Sequence, residues 1–158
     1  MTSKHVLLVV GANPPSQTSG QRTLARIEQV RIILGFEEAC LVNLFALPSY
    51  RSGGMSELGG EPLGWLAARR EIETELRTAD AVLLAYGAQL PTGPARGHFR
   101  DQVNWLNDRI EALGLPSWWV GGAPRHPSRW QRYTWREFPD LDFGEALRLA
   151  LGQRGLAS

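Results

Sequence analysis

Apolar residues in this chain come in short continuous runs, and each run is followed by a longer stretch in which they recur at three- and four-residue steps. His5 to Val10 is the first run and stops at Gly11. A nearly continuous apolar run of this length predicts a buried strand. From Gln21 to Leu34 the residues Leu24, Ile27, Val30, Ile33 and Leu34 form one stripe of an amphipathic helix, closed by Gly35. Ala39 to Phe45 predicts the second strand, interrupted by Asn43, and is followed by an irregular stretch containing Pro48, Ser49, Gly53, Gly54, Gly59 and Gly60.

The alternation continues. Leu63 to Leu76 predicts a helix, Ala81 to Tyr86 a third strand ending at Gly87, Gly97 to Leu113 a helix, and Ser117 to Val120 a fourth strand ending in Gly121-Gly122. A last helix is expected from Phe143 to Leu151. Strands that alternate with helices and are apolar on both faces predict an α/β domain: a central, mostly parallel four-stranded sheet flanked by helices on both faces. With 158 residues, one domain over residues 1–158 is expected. Ligands of such sheets bind at the carboxyl ends of the strands, so the loops after Val10, Leu44, Tyr86 and Val120 should converge.

Composition narrows the picture further. The chain is 43% hydrophobic and 21% charged, and no apolar run approaches a membrane span, so a soluble protein without membrane partners is expected. The start lacks a secretory cleavage pattern, and the single cysteine, Cys40, is read as a small buried hydrophobe; both point to the cytoplasm. Seventeen basic against sixteen acidic residues leave a net charge of +1, too small for a non-specific nucleic-acid binder. The basic character is local: four arginines between Arg125 and Arg136 alternate with Trp130, Tyr133 and Trp135. Two readings stay open for this segment, arginines lying over aromatic rings in a solvated loop or a surface that contacts phosphate. The tryptophans from Trp118 to Trp135 also fit a protein-partner surface, whereas Trp65 and Trp105 fall on helix faces and belong to a core.

Polar chemistry gathers at the expected strand ends: Gly11-Ala12-Asn13-Pro14-Pro15-Ser16, Asn43, and Arg125-His126-Pro127-Ser128. The amide of Asn43 offers donors and an acceptor, which suits a nucleobase edge, though it would equally cap a turn. Asn13 and His126 each precede a proline that holds their backbone extended. No nucleophile elbow, phosphate-binding loop or dinucleotide fingerprint is present, and His5, His98 and His126 lack metal-ligand spacing. Neither a metal nor another cofactor is expected.

Asn13-Pro14-Pro15-Ser16, Val42-Asn43-Leu44-Phe45 and Gly122-Ala-Pro-Arg-His-Pro127 resemble the motifs of an uncharacterised family of small bacterial and phage proteins, over most of the chain up to Trp130. More distantly, four segments in order resemble the uracil-DNA glycosylase superfamily: Gly11-Ala-Asn13-Pro14, Leu41-Val-Asn43, Val82 to Gly87, and His126-Pro127-Ser128. That resemblance implies base-excision DNA repair: hydrolysis of the N-glycosidic bond of uracil or a modified pyrimidine. Asn13 would position the attacking water, Asn43 would bind the base edge, and His126 would stabilise the developing oxyanion. Gly11, Pro14, Pro15, Ser16 and Ser128 would complete the pocket, Phe45 or Tyr86 would stack on the base, and Arg125 and Arg129 would contact phosphates.

Departures from the superfamily pattern matter too. Pro15 stands where the uracil enzymes put a bulky tyrosine, which would admit 5-substituted pyrimidines. Asn13 in place of aspartate orients water but cannot take its proton. The iron–sulfur cysteines of some branches are missing, and Arg129-Trp130 follows the late motif. The competing expectations are a non-catalytic binder of a nucleobase, nucleoside or nucleotide, and a phage- or defence-related protein-interaction domain.

Overall fold

The computed structural model describes residues 4–12, 20–46 and 59–155. Its elements are β1 (Val6–Gly11), α1 (Gln21–Leu34), β2 (Glu38–Asn43), α2 (Leu63–Leu76), β3 (Ala81–Leu84), α3 (Pro94–Leu113), β4 (Ser117–Val120), a 3-10 turn (Pro127–Arg129), α4 (Trp130–Glu137), α5 (Phe143–Ala150) and β5 (Leu151–Gln153). The strands form one sheet in the order β2-β1-β3-β4-β5. β1 lies between β2 and β3 and pairs in parallel with both, Val10 standing beside Val42 on one side and Leu84 on the other. β4 continues the parallel set, and β5 runs antiparallel beside it through Trp118–Gln153 and Trp119–Gly152.

The sheet therefore has five strands instead of the expected four. The expected last helix ends at Ala150, and Leu151 already has the extended backbone of β5 (φ −69°, ψ 125°). Three residues centred on Gly152 carry no alternation that could announce a strand. The basic aromatic segment after His126 is likewise helical, as the 3-10 turn and α4, and not an open loop. α3 begins at Pro94, ahead of the expected Gly97: proline occupies the first helical position, where its missing N–H costs nothing.

Successive β1 side chains point to opposite faces, and each face has its own core. Leu8 and Val10 pack with Val42, Leu84, Trp65 and Ile72 under α2 and α3. Leu7 and Val9 pack with Ile27, Val30, Leu83, Trp130 and Leu147 under α1, α4 and α5. All four residues of β3 are buried, which explains its unbroken apolar run. Leu24, in the expected stripe of α1, and Leu66, in the expected second helix, are instead about half exposed, at 49% and 55%. Trp65 is in the core, and Trp105 is half-buried under the Arg69 guanidinium, 5.1 Å from its ring centre.

α2 and α3 are fastened by a two-pronged ion pair, Arg109 Nε and Nη2 donating to Glu73 at 2.9 and 2.6 Å. No described helix is long and apolar enough to cross a membrane.

Candidate functional site

Because β2, β1, β3 and β4 are parallel, their carboxyl ends share one edge. From β1 the chain turns towards β2, and from β3 towards β4, so the two exits diverge and leave a crevice between them. This is the switch point at which open α/β sheets hold ligands. The strand pairing is carried past the sheet by backbone bonds: Leu44 N–H donates to Gly11 O, Phe45 N–H to Ala12 O and Ala85 N–H to Val10 O, each at 2.9 Å.

On one side of the crevice, Gly11 and Asn43 are register partners. The Asn43 carboxamide lies across Gly11, with Oδ1 2.7 Å from where a Cβ on that glycine would stand. The expected Asn13, Pro14, Pro15 and Ser16 lie outside the described residues. Phe45, expected as a stacking ring, is fully buried and is enclosed by Gly64 and Trp65, its ring centre 4.7 Å from that of Trp65. Behind it stands Gln102 of α3, also fully buried. Its Nε2 donates to Leu44 O and Trp65 O at 2.8 Å each, and its Oε1 accepts from Arg69 Nε at 2.8 Å. Every polar atom of this amide is used, and it pins the chain just after Asn43.

On the other side, Tyr86 is buried edge-on to Phe99. Burial pushes its phenol above the usual tyrosine range, with the Arg154 charge acting in the opposite sense. A mostly apolar hollow of about 350 Å³ opens here between Tyr86, Gly87, Leu90, Phe99, Asn104 and Pro124. Gly87 takes a left-handed backbone (φ 90°) and donates its N–H to Pro124 O at 2.6 Å, tying the end of β3 to the segment that carries His126. His126 Cβ lies 3.9 Å from the position a Cβ on Gly87 would take.

His126 caps the 3-10 turn. Its Nδ1 accepts the Ser128 backbone N–H at 3.1 Å and lies 2.8 Å from Ser128 Oγ. A nitrogen that accepts a backbone N–H carries no proton, so the imidazole is neutral with its hydrogen on Nε2. Burial foremost, then the charges of Arg129 and Arg26, hold its pKa below the ordinary 6.5. Arg129 and Ser128 are exposed. Arg125 is turned inward: its guanidinium covers the Tyr133 ring at 4.2 Å, with Nε above Gly121. Arg26 is held by Pro127 O at 2.7 Å and Gln131 Oε1 at 3.1 Å.

The helices that start at this edge lack the acids that usually open a helix. α1, α2 and α3 have no acid in their first turns; Arg22 and Arg96 stand there instead, and Glu73, Glu75, Asp108 and Glu111 fall in the later turns. α5, which runs towards the edge, begins with Asp142 and Glu145 and carries Arg148 in its last turn. Helix dipoles favour acids at the start and bases at the end, so α2 and α3 forgo that stabilisation at both ends, α1 keeps it only at its end through Arg31, and α5 keeps it at both. Both choices place bases at, and keep acids away from, the helix turns nearest the strand-end edge, with Glu61 just ahead of α2 as the exception. Among the described residues no group of three or more His, Cys, Asp or Glu stands together as a metal site.

Of the expected residues, the fold gathers Gly11, Asn43, Tyr86, Arg125, His126, Ser128 and Arg129 at or beside one edge, with Phe45 behind it. Sequence reasoning missed Gln102 and the hollow beside Gly87. A glutamine inside the Phe99–Leu106–Ile110 stripe is a signal that could have found the first.

These features define an open, mostly parallel α/β protein with its polar side chains collected at a topological switch point. The chain belongs to the family described as Protein of unknown function (DUF1643), which matches it over residues 1–128. No curated protein and no solved structure matches it. The matched part ends two residues after His126 and so includes the whole carboxyl edge of β1 to β4.

Proposed function

We propose that this edge holds a nucleobase, and that the protein is a uracil-DNA glycosylase-like hydrolase of the N-glycosidic bond to uracil or a modified pyrimidine. The observation that carries the reading is the state of His126: a neutral imidazole, its Nδ1 occupied by Ser128 and its Nε2–H left as a donor among the described residues, at the edge that presents the Asn43 amide. Hydrolysis adds water to the sugar carbon as the carbon–nitrogen bond breaks, and the bonding pair leaves with the base. The negative charge spreads to the base oxygens, where a fixed N–H donor is worth most.

Asn43 supplies the paired donor and acceptor for the base edge, and Tyr86 the nearby ring. From Asn43 to the end of β3 is two strand spacings, about 10 Å, a span suited to one small ring. The bases at this edge favour a phosphate-bearing ligand, with Arg129 as the exposed contact. Asn13 would orient the water without removing its proton, so turnover is slow.

A second reading, a non-catalytic binder of a free nucleobase or nucleotide, is favoured by one observation: Arg125 and Arg26 are committed to internal contacts, which leaves a short basic track. A protein-interaction role for residues 118–135 rests on Trp135 alone. Trp130 is fully buried, and Trp118 and Trp119 pack against the cores.

A base-release assay decides between these readings, using oligonucleotides that contain uracil, 5-hydroxymethyluracil, hypoxanthine or ordinary bases, followed by alkaline cleavage. Cleavage at one modified base, reduced at least about tenfold by His126→Ala, supports the hydrolase. No cleavage, with a free base bound by the wild type and lost in Asn43→Ala, supports the binder. Neither result removes both.

A further inference from the structure

Beyond the family-matched residues, α4 and α5 enclose with α1 a hollow of about 480 Å³ lined by Arg26, Ser128, Gln131, Arg132, Trp135 and Phe143, among others. No carboxylate lines it. Trp135 is 75% exposed, the most exposed large apolar side chain of the segment. An indole this open offers a free aromatic face on which a planar group can stack. Arg26 brings a fixed charge, held at Pro127 O and Gln131 and lying 5.9 Å over the Phe143 ring. Ser128 is shared: it lines this hollow and also fixes the His126 imidazole.

We infer that this hollow is a second nucleic-acid subsite, which takes one unpaired base of a single strand against Trp135 while the exposed Arg132 faces its phosphates. The ligand class rests on the reading of the strand-end site as a nucleobase site. An open aromatic face beside cations, with no carboxylate in the lining itself, is the composition that holds single strands: stacking tolerates any base, and the cations follow the backbone. A paired duplex keeps its bases in the stack, away from a concave site between helices. From Ser128 to Trp135 is seven residues, about 10 Å of helical rise. A strand whose target base sits by His126 therefore passes Trp135 a few nucleotides away.

The test is fluorescence anisotropy of an end-labelled oligodeoxythymidylate of about 15 nucleotides, within usual single-strand site sizes. Trp135→Ala should weaken binding about tenfold or more, and Trp135→Phe should restore most of it. Arg132→Ala should weaken binding and flatten its salt dependence by about 0.7 in the log–log slope. Lys4→Ala, which removes an exposed cation at the amino end of the sheet, should leave the affinity within about twofold, and the dependence on Trp135 is read whether or not base release is ever seen. Trp135→Ala binding like the wild type would overturn the subsite. So would a duplex bound equally well, or a polyglutamate peptide bound more tightly than the oligonucleotide with the same dependence on Trp135.

Discussion

Asn43 Oδ1 rests against the bare Cα of Gly11, at 2.7 Å from where a methyl group would stand. The amide is held in place partly by the absence of a side chain on the neighbouring strand. Gly11 does not have a positive φ, so alanine is compatible with its backbone and gains a little through the unfolded chain. The Gly11→Ala methyl must push the amide aside, and the Asn43 side chain has room to turn. Stability measured by urea unfolding should change by less than about 1 kcal/mol. Base release or base binding should fall as far as it does in Asn43→Ala. A variant that keeps full function would show that the amide is not needed at that position.

The His126 environment predicts a titration. Its folded pKa lies below 6.5, from burial first and then Arg129 and Arg26, so the unfolded chain takes a proton at a higher pH than the fold does. Stability from this group is intact above 6.5 and is lost as pH falls through that value towards the folded pKa. Nitrogen NMR should report the Nε2–H tautomer at pH 7 and a midpoint below 6.5. A midpoint above it would mean that the imidazole is charged where the proposed mechanism needs it neutral.

Most of the sheet was legible because buried parallel strands are written as continuous apolar runs, and Asn43 stood out as the polar residue interrupting one, where the strand in fact ends. The end of the chain was not. β5 is three residues around a glycine, and α4 buries only Trp130 and Thr134 among arginines, so neither builds a period long enough to read. The arginines left open between stacking and phosphate contact differ residue by residue, with Arg125 on Tyr133 and Arg129 in solvent. No sequence pattern encodes that.

Cys40 should be chemically quiet. It is only partly buried and faces the Glu75 carboxylate, unlike the buried hydrophobe expected from the sequence; that burial, then Glu75 3.5 Å away, pushes its thiol up to about 11. At pH 8 about one thiol in a thousand is ionised, and the thiolate is the reactive form. Iodoacetamide should modify the folded protein far more slowly than the urea-unfolded chain. Glu75→Gln should speed the reaction without reaching the unfolded rate, because burial is the larger cause. Equal rates in folded and unfolded protein would contradict this placement.

Gln102 connects the core to the site, and its removal separates packing from hydrogen bonding. Gln102→Leu keeps the volume and apolar stripe of α3 but strips the partner from two buried carbonyls, Leu44 O and Trp65 O, and from Arg69 Nε. Each unsatisfied buried group costs about 1–3 kcal/mol, partly offset by the apolar burial of leucine, so a net loss of roughly 2–4 kcal/mol in urea unfolding is expected. The Leu44 carbonyl follows Asn43 directly, and without its anchor the turn leaving β2 loosens. Base recognition in the folded variant should then weaken together with the stability. Gln102→Glu is the sharper comparison. It keeps the shape and the Arg69 contact but turns an acceptor towards both carbonyls, and it should destabilise at least as much at neutral pH. Recovery of that variant under mild acid, as the carboxyl becomes a donor again, would tie the loss to the two carbonyl bonds, whereas no recovery would assign it to packing.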